Sequence, residues 1–149
     1  MRLGTRVQGS VGALMVAILA PAAAQTNHWH RTVVTQLERA VTALRPEALS
    51  PTPVTHAGSL NGGESESFAV SLDAARSYVA VGACDEDCTG LRLVLSNAGG
   101  SDLVASQTNE SVPVLTFSPR VETGYRIRVI MATCRLNPCW YGVALVEKR

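Results

Sequence analysis

The chain predicts a mainly β fold: an antiparallel, jelly-roll-like β-sandwich of about seven or eight strands, preceded by one amphipathic helix. Three observations carry that expectation. Short runs of period-two alternation recur from about residue 59 to residue 146, the spacing of strands buried on one face. Turn-forming residues fall in the gaps between them. No helical pattern separates one run from the next, which excludes the crossovers a parallel sheet requires.

Residues 1–24 read as an export signal. Arg2 and Arg6 are positive, Val11–Ala20 is apolar, and Ala22-Ala23-Ala24 supplies small residues for cleavage before Gln25. The apolar core falls well short of the roughly 20 residues that span a bilayer, so no membrane span is expected after cleavage. Removing the signal leaves 125 of the 149 residues, enough for one domain. It also removes two of the 13 basic residues, so 11 face 12 acidic ones and the formal charge becomes −1. Such a balance argues against a nucleic-acid partner, which needs a concentrated positive field.

Residues 25–45 read as the helix. Trp29, Val33, Leu37, Ala40 and Leu44 repeat at helical spacing, Thr26 or Asn27 is placed to cap the start, and Pro46 ends it. Residues 46–58, with Pro46, Pro51 and Pro53, read as an extended linker, and 59–149 as the sandwich. Strands are expected around Phe68–Leu72, Tyr78–Cys84, Leu91–Ser96, Leu103–Ser106, Val112–Phe117, Tyr125–Met131 and Trp140–Val146. The run Tyr125, Ile127, Val129, Met131 against Arg126 and Arg128 is the cleanest amphipathic strand.

Four cysteines form two tight pairs, Cys84-x3-Cys88 and Cys134-x4-Cys139. Four thiolates could hold zinc, but an exported chain meets an oxidising compartment, so disulfides are the expected state. Four cysteines allow three pairings. Local pairing is expected because each pair brackets a turn. By chain entropy such short loops gain only about 2 kcal/mol, so the larger effect is to fix Asp85-Glu86-Asp87 and Arg135-Leu136-Asn137-Pro138 in shape. Both loops follow strand ends and could share one end of the sandwich.

Several segments resemble the bacterial pre-peptidase C-terminal domain. Gly58-Ser59-Leu60 and Glu64–Val70 are similar to its opening strands. Leu91–Leu95 with Asn97, Gly99-Gly100 and Leu103–Ser106 resembles its central hairpin, and Gly124-Tyr125–Val129 its closing strand. The likeness covers roughly residues 58–146. It implies a jelly-roll-like sandwich that accompanies secreted enzymes in a binding or accessory role, not catalysis. Two departures stand out. Thr89–Arg92 and Ser96-Asn97 occupy positions where the family often carries acids, sometimes as calcium ligands, and the cysteine pairs are additions.

The chemistry expected is non-enzymatic. His28, His30 and His56 all fall in the helix or linker, which leaves the sandwich without the base of a hydrolase triad. Asp85, Glu86 and Asp87 form an acidic loop in which Asp85 and Asp87 are the candidate calcium ligands, with Asn97 or Asp102 to complete a shell; no other cofactor is implied. Arg126 and Arg128, with Arg92 near them, could grip an anionic glycan or a carboxylated partner. Trp140-Tyr141 supplies candidate exposed rings, one of which must face the core because strand neighbours point opposite ways. The reading is a periplasmic or secreted binding module for an envelope or extracellular protein or polysaccharide, acting through the stapled loops. The alternative is a small periplasmic inhibitor or chaperone-like partner of a secreted hydrolase, docking through the helix.

Overall fold

The computed structural model describes residues 22–44, 54–107, 110–121 and 124–148, with helical side chains from His28 onward. The basic and apolar parts of the expected signal, the three prolines of the expected linker and Asn109 of a glycosylation-type Asn-Glu-Ser triplet lie outside the described residues. Eight strands follow one helix: α1 (Ala22–Leu44), β1 (His56–Leu60), β2 (Ser65–Val70), β3 (Ser77–Cys84), β4 (Cys88–Asn97), β5 (Asp102–Ala105), β6 (Val114–Phe117), β7 (Tyr125–Cys134) and β8 (Cys139–Lys148). They build two four-stranded sheets, ordered β1-β8-β3-β6 and β2-β7-β4-β5, with antiparallel pairing throughout. Eight strands interleaved this way across two sheets make a jelly roll.

The core between the sheets is set by strand parity. Leu91, Leu93 and Leu95 on β4 and Ile127, Val129 and Met131 on β7 point inward and are buried, as are Val143 on β8 and Leu115 and Phe117 on β6. The opposite face of the β2-β7-β4-β5 sheet alternates into polar side chains, as an antiparallel sheet facing water does.

The other sheet is covered on both faces. Val33, Leu37 and Val41 of α1 pack onto Val79, Val81, Ala83 and Ala144, which point away from the core between the sheets. Gly142 permits the close approach: a Cβ there would lie 2.8 Å from Val33 Cγ1 and 3.0 Å from Leu37 Cδ1. Burying each of these three helical side chains contributes roughly 1.5–3 kcal/mol. The helix is therefore part of the domain.

Three sequence expectations change. The helix continues back through Thr26 and Asn27 to Ala22, so neither residue stands before it as a cap. Its buried stripe includes Val41, whereas Leu44 is exposed, because the line of contact with β3 and β8 follows the i, i+4 row from Val33. The linker is shorter than expected, since 56–58 already belong to β1 and pair with Gly142, Tyr141 and Val143 of β8.

Candidate functional site

One end of the sandwich gathers both cysteine pairs. The bridges are Cys84–Cys88 and Cys134–Cys139, and no free cysteine remains among the described residues. Each bridge joins strands of different sheets, β3 to β4 and β7 to β8, across a tight turn. Cys88 and Cys134 are direct partners in the β4–β7 ladder, so the two staples lie side by side.

Hydrogen bonds knit the loops between them. Asp85 is buried at 4% exposure and meets Trp140 twice: its amide donates to the Trp140 carbonyl at 3.0 Å, and its Oδ2 accepts the Trp140 amide at 2.7 Å. Burial pushes the Asp85 carboxyl above its ordinary range, and backbone amides, that of Trp140 foremost, work against the rise. The Arg135 amide donates to the Asp87 carbonyl at 2.8 Å, and its guanidinium donates to the Glu86 carbonyl at 2.7 Å. Asn137 Oδ1 accepts the Gly62 amide at 2.9 Å, which brings in the turn between β1 and β2. Within that turn Glu64 accepts the Asn61 amide, which holds its carboxyl below the usual range. Gly63 takes φ +86°, a conformation glycine adopts without a Cβ clash. Amid this scaffold Leu136 projects at the tip, 69% exposed.

The sequence candidates separate into different roles. Asp85 is turned inward to hold β8 and Asp87 sits 3.5 Å from the Arg135 guanidinium, while the Glu86 side chain is exposed. Among the described residues no three metal-type side chains converge, so Asp85 and Asp87 share no such cluster. Of the aromatic pair, one ring faces the core as strand parity requires, and the other is not the freely exposed contact that was expected. Tyr141 is 1% exposed in the core, and Trp140 packs half-buried in the cluster beneath α1. Arg126 and Arg128 do share the outer face of β7, and Arg92 lies on the same face of β4 opposite Ile130. Arg126 donates to the Ser67 carbonyl at 3.1 Å and Arg128 to Asp102 at 2.7 Å.

A second polar cluster lies where sequence reasoning expected none. His56 opens β1 and so belongs to the sandwich, which overturns the view of a histidine-free β-domain. Its Nε2 meets Glu66 Oε1, the same oxygen that accepts the Tyr141 hydroxyl. The His56 ring stacks on Phe68 with centroids 4.3 Å apart. Burial raises the Glu66 carboxyl, but the bonds from Tyr141 and His56 outweigh it and leave the group below its ordinary value. Burial and the neighbouring carboxylate together push the Tyr141 phenol far up, so it stays a neutral donor. The three groups tie β1 and β8 of one sheet to β2 of the other. Their arrangement is that of a cross-sheet clasp, with Glu66 at an inward position that the parity of Glu66, Phe68 and Val70 already signals.

Two grooves flank apolar side chains. One of about 530 Å³ opens between edge strands β5 and β6, lined by Leu95, Leu103, Phe117, Val121 and Tyr125. Another of about 240 Å³ lies between α1 and β1, lined by Val33, Val34, Val54 and Trp140. Arg120 is the charged residue lining the first, and His30 the titratable base lining the second.

No family model and no curated protein matches the chain. Among solved structures it is similar to the pre-peptidase C-terminal domain of collagenase from Bacillus anthracis, at 15% identity and a TM-score of 0.47. That likeness covers 64% of this chain and 89% of the other. Among the described residues no helix is long and apolar enough to cross a membrane.

Proposed function

We propose that this chain is an exported, non-catalytic binding module that docks onto an envelope or extracellular protein through its stapled end. One observation carries the reading: Leu136 is 69% exposed on a loop otherwise pinned by a disulfide and by hydrogen bonds at Arg135 and Asn137. An exposed leucine on a mobile loop would be ordinary. Here the ordering entropy that a partner would otherwise have to overcome is already removed in the free protein, which is how pre-organisation raises affinity. Paired disulfides support an oxidising compartment, in keeping with the signal-like N-terminus. The alternative, docking through α1, is weakened because the apolar stripe of that helix is used on its own sheet.

The test is capture of a partner from periplasmic or culture-fluid protein on immobilised wild type, Leu136→Asp and Val121→Asp. Val121 is 53% exposed and lines the groove at the far end of the sandwich. A partner retained by wild type and by Val121→Asp, and lost with Leu136→Asp at unchanged melting temperature, supports the reading. Retention by Leu136→Asp at wild-type level refutes it.

A further inference from the structure

We propose that the outer face of the β2-β7-β4-β5 sheet is a second binding site, one that takes a linear polysaccharide bearing carboxylates. The face is built around three arginines. Arg126 and Arg128 alternate outward along β7, and Arg92 extends the row from β4, opposite Ile130. At about 3.4 Å per residue, the positions 126, 128 and 130 span roughly 13 Å along the strand, with Arg92 displaced by one strand spacing of about 4.8 Å. Three cations therefore lie along one oblique band that crosses from β7 to β4 on a pleated surface.

The charge on that band is largely unmatched. Asp102 pairs with Arg128 at 2.7 Å, the carboxylate exposed and the arginine side chain half-buried. Arg126 donates to the Ser67 carbonyl, and among the described residues neither Arg126 nor Arg92 makes an ion pair. Three positive groups against one negative leave the face at about +2, in a chain whose formal charge is +1 over all 149 residues and −1 without the first 24.

The arginines are also held down. Nε of Arg92 and Nε of Arg128 are both buried without an acceptor, so these stems lie on the sheet and do not extend into water. Val94, on the same solvent-side face and opposite Arg128, is accordingly only 2% exposed. Guanidinium forks fixed in this way suit planar carboxylates, which they bind by paired hydrogen bonds.

The surroundings favour a glycan over an acidic protein. Outward neighbours on β2 are Ser65, Ser67 and Ala69, opposite Ile130, Arg128 and Arg126. They are small and exposed, leaving a shallow bed without the aromatic anchors around which protein interfaces are organised. A hydrated chain with an acid on each sugar fits such a bed.

Affinity electrophoresis of the purified protein through gels containing polygalacturonate tests the proposal, with neutral dextran and poly-glutamate gels run in parallel. The double variant Arg92→Gln/Arg126→Gln should bind polygalacturonate at least 10-fold more weakly than wild type. Arg39→Gln/Arg120→Gln, which removes the same charge elsewhere, should change binding by less than threefold. Asp102→Asn should bind more tightly, a gain that misfolding does not produce. Equal losses in the two double variants, weaker binding by Asp102→Asn, or equal retardation by poly-glutamate would each overturn the site. Failure here leaves the Leu136 surface unaffected, since the two are tested by different ligands.

Discussion

Glu66 shows how much one inward polar residue can organise. Its Oε1 receives both the Tyr141 hydroxyl and His56, across the gap between the two sheets. Gly58 leaves the space for this, since a Cβ there would come within 3.1 Å of the Tyr141 hydroxyl and 3.2 Å of Glu66 Oε1. Glu66→Leu strands the buried Tyr141 hydroxyl, and chemical denaturation should register a loss of about 1–3 kcal/mol. Tyr141→Phe on that background should then cost almost nothing, which a double-mutant cycle would reveal as coupling. The pH dependence follows from the depressed Glu66 carboxyl. A folded-state value below the unfolded 4.5 gives stability that is present above 4.5 and lost as pH falls through the lower folded value. Melting temperatures of wild type should fall across that acid window, and those of Glu66→Gln should fall less. Asp85 runs the opposite way. Its raised carboxyl favours the fold below the unfolded value of 3.8, and that contribution is lost as pH rises through the higher folded value. Asp85→Asn should therefore flatten the loss between acid and neutral pH in the same melts.

Among the elements, α1 and the strands beneath it explain one another. Residues 79–85 are continuously buried, as are 141–144, which is the pattern of strands covered on both faces. That run of Val79 to Cys84 without a polar break was visible in the sequence, and it contained the information that something must cover this sheet. Leu37→Ala should cost about 2–5 kcal/mol in denaturant unfolding, the range for a cavity opened under a fully buried leucine. Leu44→Ala, at an exposed position, should fall within about 0.5 kcal/mol of wild type. Strand positions were legible for the same reason: period two survives wherever one face is wet, as on β7. The clasp was only half legible. Parity places Glu66 and Tyr141 inward, but their partner His56 follows a proline-rich stretch and carries too short a pattern to mark a strand. The stapled loop that carries Leu136 was legible, but the exposure of Leu136 was not, since a leucine between cysteines reads the same in a buried loop. The register that brings Cys88 beside Cys134 then sets both loops at the shared end that their place after strand ends suggested.

The whole molecule is a jelly roll closed differently at each border. One long edge, β1 and β2, is joined by the Glu66 clasp; the other, β5 and β6, opens into the 530 Å³ groove. One end carries both staples. Because each staple closes a loop of only a few residues, opening either by paired Cys→Ser replacement should lower global stability by about 2 kcal/mol and leave the fold intact. Opening the Cys134–Cys139 loop should nevertheless abolish partner capture, because Leu136 would then be displayed by a loop without a fixed shape. The binding surface at this end exists only if the bridges are local ones that cross from sheet to sheet. The geometry offers a real competitor, since Cys88 and Cys134 face each other across the β4–β7 ladder. Mass mapping of unreduced peptides from protein recovered in its oxidised form decides between them: the account predicts Cys84 joined to Cys88 and Cys134 joined to Cys139, and a Cys88–Cys134 link or four alkylatable thiols would contradict it.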